Sequence, residues 1–106
     1  MYKRQSPDIG ALRALRTNLL VTAPGDGDHD VVSRFFAPGS GVDEDPVTGS
    51  THCTLGPFWS RRLGRTTLRC HQASTRGGAM TVTTHGDRVS LTGHAVVVIE
   101  GTLLVG

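Results

Sequence analysis

Polar and apolar residues alternate through the second half of the chain, a pattern typical of antiparallel strands with one buried face. Met80, Val82 and Thr84 follow this alternation, and so do Val89 and Leu91. Stretches rich in glycine and polar residues interrupt the pattern and predict turns. The strands predicted from this pattern are TLRCHQAS (67–74), AMTVTTH (79–85), RVSLTG (88–93) and HAVVVIEGTLLV (94–105).

The first half of the chain has the pattern of a short helix followed by a hairpin, after a loose start over residues 1–5. The segment SPDIGALRALR predicts the helix, with Ser6 as N-cap and Pro7 at the first helical position. Strands are predicted at LLVTA (19–23) and VVSRFFA (31–37), because the turn-rich PGDGDHD separates them.

A second helix is predicted between the hairpin and the later strands, at STHCTLGPFWSRRLG (50–64). Its apolar residues lie on most sides, which is typical of a buried helix. Gly64 is a stop signal, and Pro57 predicts a kink or a late start because it removes one helical hydrogen bond. The residues predicted to face the core are Cys53, Leu55, Phe58, Trp59 and Leu63.

The order of these elements favours an α+β fold in which a mainly antiparallel sheet is wrapped around one central helix. A length of 106 residues predicts a single domain over 1–106.

Composition and charge exclude several classes of function. The net charge is +2, from 11 basic and 9 acidic residues, which does not favour binding to nucleic acid or to an anionic membrane. The longest apolar stretch, residues 95–99, is too short to span a bilayer. Two cysteines and no recognisable export signal predict a cytoplasmic protein with free thiols.

Candidate chemistry lies in the acidic stretch VDEDPVTGSTHC, residues 42–53. Pro46 restricts Asp45 to an extended backbone, and Thr48 or Ser50 is a candidate cap for the helix that follows. The free N–H groups of a helix start attract anions, and Gly49 allows a ligand close to the backbone. A carboxylate beside such a site suits acid–base chemistry on a carboxylate substrate. Acidic residues near a helix start also stabilise the helix dipole, so spacing alone leaves capping and a site both open.

The chain resembles the PhzF-like phenazine-biosynthesis family from about Pro7 to Leu104. The resemblance rests on RFFAPGSGVDEDPVTGSTHCTLGPFW, with RLG after it, on QASTRGGAMTV and on GHAVVVIEG. The family shares the diaminopimelate epimerase fold of two similar lobes, each a sheet around a central helix, with the active site between them. Its members are isomerases or epimerases that move a proton without metal, pyridoxal phosphate or nucleotide.

The resemblance implies roles for particular residues. Asp45 matches the acid that assists proton transfer. Gly49 and Ser50 match the positions that hold the substrate carboxylate, and Thr48 matches a position that shapes this site. Segments expected near the cleft, with no specific role implied, contain Gln72 and Arg76-Gly77-Gly78.

The resemblance covers only the second lobe of the family. Family members carry a first lobe with the principal glutamate acid/base, and that lobe has no counterpart here. The implied partners are therefore a small carboxylate-bearing substrate and either a second copy of the chain or a separately encoded first lobe. A non-catalytic binding or assembly module, or a truncated remnant that dimerises through its cleft face, remains the alternative.

Metal sites are not favoured by the sequence. Asp26, Asp28 and Asp30 have the spacing of a calcium loop, but Val31 and Ala37 stand where that loop requires glycine and glutamate. Cysteine and histidine pairs at 52–53 and 70–71 lack the spacing of zinc ligands. His52 is expected to contact a ligand, or otherwise to pack or to cap the helix.

Overall fold

The computed structural model describes residues 6–106, so the loose start predicted for residues 1–5 lies outside the described part. The helices are α1 (Ile9–Ala14) and α2 (Gly49–Leu63), with a short 3-10 helix at Pro38–Ser40. The strands are β1 (Leu19–Pro24), β2 (Val31–Ala37), β3 (Val42–Asp45), β4 (Thr67–Gln72), β5 (Gly78–His85) and β6 (Arg88–Thr92).

The strands form one mixed sheet in the order β1-β2-β4-β5-β6. The β1–β2, β2–β3, β4–β5 and β5–β6 pairs are antiparallel, and β2–β4 is parallel. The helix α2 packs against β4, β5 and β6. The predicted α+β class, with a mainly antiparallel sheet and one central helix, is confirmed.

Two strands share one edge of β2. Residues 31–33 of β2 pair with β4, whereas Phe35 and Ala37 farther along pair with β3. Since β3 runs antiparallel and β4 parallel to β2, the last residues of β3 and β4, Asp45 and Gln72, approach one another end to end. This junction in the sheet lies just before α2 begins.

The core lies between α2 and the sheet. Trp59 packs there, and its indole N–H donates to Thr22 Oγ1 at 3.0 Å. The helix continues through Pro57 and ends at Leu63, and the predicted stop signal Gly64 is its C-cap, with a left-handed φ of 68°. Buried residues of the main cluster are Val31, Leu55, Trp59, Leu68, Cys70 and Val82.

Part of the predicted helix core is wrong. Phe58 and Leu63 keep 42% and 37% of their surface exposed, and Cys53 is exposed as well. The buried residues of the helix, His52, Leu55, Gly56 and Trp59, lie on one side of it, so the apolar residues beyond that stripe face solvent. The Phe58 ring instead contacts the Arg62 guanidinium, 4.6 Å from the ring centroid.

The cap of α1 also differs from the prediction. Asp8, rather than Ser6, is the N-cap, and its carboxylate accepts from Ala11 N–H at 2.9 Å. The helix therefore begins at Ile9, two residues after Pro7. None of its residues is buried, so its predicted apolar face packs only loosely.

Asp30 joins the start of β2 to β4 and to the end of α2. Its carboxylate accepts from the Arg69 backbone N–H at 2.8 Å and from the Arg65 guanidinium at 2.6 Å. The backbone N–H of Arg69 is the main cause that lowers the pKa of Asp30 from 3.8 to about 2. Arg65 and Arg69 thus both pair with this carboxylate.

The last predicted strand is wrong. Residues 93–106 form neither helix nor strand, and their apolar side chains are 83–89% exposed. A run of apolar residues is typical of a strand buried on both faces, but no sheet edge pairs with this segment within the described residues. The exposed side chains are those of Val96, Val97, Val98, Ile99, Leu103, Leu104 and Val105.

No helix among residues 6–106 is long and apolar enough to cross a membrane.

Candidate active site

The candidate site forms where β3 and β4 meet end to end and α2 begins. Asp45 is the last residue of β3, and Gly49 is the first of α2. The three residues between them therefore turn the chain from the sheet edge into the helix. Asp45 and Thr48 are half-buried, and Gly49 and Ser50 are exposed.

Gln72 holds this turn through three hydrogen bonds. Its Oε1 accepts from Thr48 N–H at 2.8 Å. Its Nε2 donates to the Asp45 carbonyl oxygen at 2.9 Å and to Thr48 Oγ1 at 3.0 Å. Gln72 is only 1% exposed, and its buried amide satisfies the carbonyl of the last residue of β3 and the N–H of the helix cap residue Thr48.

Thr48 is the N-cap residue by backbone geometry, with φ −124° and ψ 115°. Its hydroxyl donates to Asp45 Oδ2, and within the described chain neither it nor Ser50 makes a side-chain cap to the helix. Thr48 is therefore the cap residue, as one of the two predicted alternatives had it, but its hydroxyl does not bond to the helix. The first-turn N–H groups of α2 remain available to another acceptor.

His52 supports the same turn from inside the helix. It is 1% exposed, and its Nδ1 lies 2.6 Å from the Thr48 carbonyl oxygen. Because a carbonyl oxygen only accepts, Nδ1 carries the proton and Nε2 a lone pair. Burial lowers the pKa of His52 below its usual value, although the Thr48 carbonyl acts in the opposite direction. The His52 ring is packed in the interior, which agrees with the expectation that it packs.

A second loop closes against the turn. Ser74 Oγ donates to the Pro46 carbonyl at 2.8 Å and accepts from Gly77 N–H at 2.9 Å. Gly78 lies so close to Val47 that a Cβ at position 78 would come within 2.6 Å of Val47 Cβ. The segment 74–78, which contains the Arg76-Gly77-Gly78 that the resemblance implies near the cleft, therefore packs directly on the turn after Asp45.

An ion pair anchors β3 on the other side of Asp45. The guanidinium of Arg34 on β2 donates to both carboxylate oxygens of Glu44, at 2.8 and 2.9 Å. Their side chains are 12% and 18% exposed. A bidentate pair of this kind is geometrically specific, so it fixes β3 on β2 and with it the position of Asp45.

A pocket of about 450 Å³ lies beside the start of α2. Gly49 lines it, whereas Asp45, Thr48 and Ser50 are not among its lining residues. Its wall is mostly apolar and includes the exposed arginine Arg76. Free helix N–H groups and one guanidinium beside an apolar wall suit a small organic anion. The other lining residues are Val47, Gly77, Gly78, Ala79, Met80, Leu91, Thr92, Gly93 and His94.

Within residues 6–106, no cluster of three or more histidine, cysteine, aspartate or glutamate side chains could hold a metal ion. Cys70 is buried, and burial raises the pKa of its thiol to about 11. The His71 ring stacks on His29 at 4.8 Å between centroids. Cys70 and His71 thus both take part in packing.

Of the predicted residues, Asp45 and Thr48 flank the turn and are joined by a side-chain hydrogen bond, whereas Gly49 and Ser50 are the first two residues of α2. Gln72 is the residue whose role the sequence did not specify. The available signal was a polar side chain in the alternation of a predicted strand, at a position that proves to be buried.

Comparison with known proteins places these features in context. A family model described as phenazine biosynthesis-like protein matches residues 3–101. An uncharacterized isomerase of Pseudomonas aeruginosa is 51% identical over 98 residues, which are 92% of this chain and 37% of that protein. A mouse phenazine biosynthesis-like domain-containing protein 2 is 54% identical over 76 residues, 71% of this chain and 26% of its own.

Two solved structures of PhzF-family proteins are also similar to this chain. A PhzF-family protein of Enterococcus faecalis superposes with a TM-score of 0.79 and 44% identity over 86% of this chain and 35% of its own. A putative PhzC/PhzF protein of Clostridium difficile gives 0.81 and 36% identity over 96% of this chain and 40% of its own. The chain thus spans well under half the length of the relatives that it matches.

Because the family model matches nearly the whole chain and both solved structures share its fold, the chain belongs to the phenazine biosynthesis-like (PhzF-like) protein family, with the diaminopimelate epimerase-like fold.

Proposed function

We propose that this chain supplies one side of the active site of a cofactor-independent isomerase. The reaction is the removal and return of a proton next to a carbonyl or carboxylate in a small substrate. Asp45 is one acid/base, and the start of α2 at Thr48, Gly49 and Ser50 holds the substrate carboxylate. The proposal rests on family membership and on relatives that are named isomerases.

The observation that carries the proposal is the fixed position of Asp45 beside an open helix start. The Thr48 hydroxyl and the Gln72 amide hold the Asp45 side chain and backbone. The next residues begin α2, whose first-turn N–H groups attract an anion. Acid–base catalysis needs such a carboxylate within reach of a bound substrate.

Assembly is part of the proposal, because the chain spans 37% of the Pseudomonas relative. We propose that the partner is a polypeptide equivalent to the rest of that relative. The exposed apolar segment 93–106 supports this choice, since burial of such a segment favours association.

The test of Asp45 uses the chain mixed with the part of the Pseudomonas protein that it does not span. Incorporation of deuterium from D₂O into a panel of small carboxylic acids is followed by proton NMR. We expect exchange next to the carboxylate with the wild-type chain, and a loss of about 100-fold or more with Asp45→Asn. Asp43→Asn is the matched control, since Asp43 is an exposed carboxylate two residues away, paired with Arg13. Equal exchange in the Asp45 and Asp43 variants would show that Asp45 is not an acid/base.

A second candidate function is a non-catalytic binding module. The exposed apolar segment favours it too, because this segment can mediate association without chemistry. Stable binding to the complementary polypeptide, with no deuterium incorporation into any acid of the panel, would favour the module over the enzyme.

A further inference from the structure

We propose that Gln72 is a positioning residue that sets the direction of the Thr48 hydroxyl and so determines which Asp45 oxygen remains free for the reaction. This inference rests on the proposed role of Asp45. It assigns Gln72 no contact with substrate.

The orientation of the Gln72 amide is fixed by two backbone groups. Thr48 N–H can only donate, so the atom 2.8 Å from it must be Oε1. The Asp45 carbonyl can only accept, so the atom 2.9 Å from it must be Nε2. A flipped amide would place Nε2 against the Thr48 N–H, donor facing donor, and Oε1 against the Asp45 carbonyl, acceptor facing acceptor. The orientation of the amide is therefore unambiguous.

The fixed amide in turn fixes the Thr48 hydroxyl. Nε2 has no lone pair to offer, so Thr48 Oγ1 must accept at this contact, 3.0 Å long. The single hydroxyl proton is then directed to its other neighbour, Asp45 Oδ2. Within residues 6–106, Asp45 Oδ1 has no hydrogen-bond partner, and it is the oxygen left to exchange a proton with substrate.

Glutamine is the side chain that this position requires. Glutamate has the same length and could still accept from Thr48 N–H, but its ionised carboxylate cannot donate to the Asp45 carbonyl or to Thr48 Oγ1. Methionine has similar volume and makes none of the three hydrogen bonds. Since Gln72 is 1% exposed, water does not readily replace the lost partners, and the turn is released.

Amide hydrogen exchange on the ¹⁵N-labelled chain tests the hydrogen bonds without any substrate. Gln72→Met should lower the protection of the Thr48 amide by about 10-fold or more, and Gln72→Glu, which keeps only one of the three hydrogen bonds and buries a charge, should lower it as well. Thr22→Val is the matched control: it removes a hydrogen bond to Trp59 from the sheet but does not touch the turn. Unchanged Thr48 protection in Gln72→Met, or an equal loss in Thr22→Val, would overturn the inference.

The effect on Asp45 has its own readout. The ¹³C resonance of the Asp45 carboxyl carbon should move in Gln72→Met and in Thr48→Val, and should return towards the wild-type position in Thr48→Ser, which restores a hydroxyl. The Thr48 pair keeps the inference testable if a Gln72 variant does not fold. A resonance that is the same in Thr48→Val and Thr48→Ser would contradict it.

Turnover separates positioning from simple stabilisation. In the assembled enzyme, Gln72→Met should lower kcat by about 10- to 100-fold with little change in KM, because misplaced groups act mainly on the chemical step. Lost Thr48 protection with unchanged kcat would overturn the positioning role. Absence of turnover in the wild-type assembly would instead overturn the proposed function, and the NMR measurements would still decide whether the amide orients Thr48 and Asp45.

Discussion

At the scale of single residues, the candidate site depends on buried polar side chains that hold a short turn. Gln72 and His52 are each 1% exposed, and both bond to Thr48, one to its amide and the other to its carbonyl. An unsatisfied buried polar group costs about 1–3 kcal/mol. Loss of either partner therefore both destabilises the protein and releases the turn next to Asp45.

His52 predicts a pH-dependent stability. Burial lowers its pKa in the folded state, so below about pH 6.5 the unfolded chain binds a proton that the folded chain does not. Stability should therefore be full above that pH and fall as the pH decreases, with a slope of up to about 1.4 kcal/mol per pH unit. Urea denaturation at pH 7.5, 6 and 5 measures it.

Replacement of His52 tests whether this residue causes the pH dependence of stability. His52→Gln should be less stable at pH 7.5 because the ring packing is lost, but its stability should change less between pH 7.5 and 5. The control is His85→Gln, which removes an exposed histidine at the end of β5 and should keep the pH dependence of the wild type. If the two variants had the same slope, His52 would not be its source.

At the scale of the elements, alternation and turn residues predicted β1, β2, β4, β5, β6 and α2 to within a few residues. The strand β3 was not predicted, because VDED has no alternation and only one apolar residue, Val42. It forms because β4 covers only residues 31–33 of β2, which leaves the rest of that edge to pair. The Arg34–Glu44 ion pair then holds it there. Both causes are contacts with β2, so the sequence pattern of residues 42–45 alone cannot show them.

The packing of α2 on the sheet leads to a prediction at Gly56. A Cβ at this position would lie 2.8 Å from Val82 Cγ1 and 3.3 Å from Thr84 Oγ1. Gly56→Ala should therefore force the helix from the sheet and lower the free energy of unfolding by about 1–3 kcal/mol, even though alanine favours helix. The midpoint and slope of urea denaturation give this value.

Gly10→Ala in α1 is the matched control for that substitution. Its added Cβ would meet only Asp8 Oδ1, at an ordinary 3.5 Å, so the gain in helix propensity of up to about 1 kcal/mol is not offset by a clash. The two glycine replacements should thus have opposite signs. A Gly56→Ala variant as stable as the wild type would mean that α2 lies farther from β5 than the structure places it.

At the scale of the whole molecule, the sequence predicted the fold class but not the site junction. The approach of Asp45 to Gln72 depends on β3 and β4 sharing one edge of β2, and pairing of that kind is not encoded in residue alternation. The segment 93–106 was wrongly predicted as a strand because local composition does not show whether a sheet edge pairs with it. Its composition is that of a strand, but the sheet ends at β6 in the described residues.

That segment predicts how the chain associates. Its apolar side chains are 83–89% exposed and make little contact with the sheet, so their replacement should change the free energy of unfolding by less than about 0.5 kcal/mol. Association should respond strongly, since each buried valine or isoleucine side chain contributes about 1.5–3 kcal/mol. Val97→Lys combined with Ile99→Lys should therefore weaken binding to the complementary polypeptide by at least about 100-fold.

Sedimentation velocity over a range of concentrations, with the chain alone and mixed with the complementary part of the Pseudomonas protein, measures this binding. Glu100→Lys is the control, because it adds positive charge to the same segment but removes no apolar surface; it should bind like the wild type apart from a modest dependence on salt. Self-association that exceeds binding to the complementary polypeptide would identify a second copy of the chain as the partner. If the double lysine variant bound as tightly as Glu100→Lys, the apolar segment would not be the interface, and the partner would have to dock on another surface, such as the open face beside Gly49.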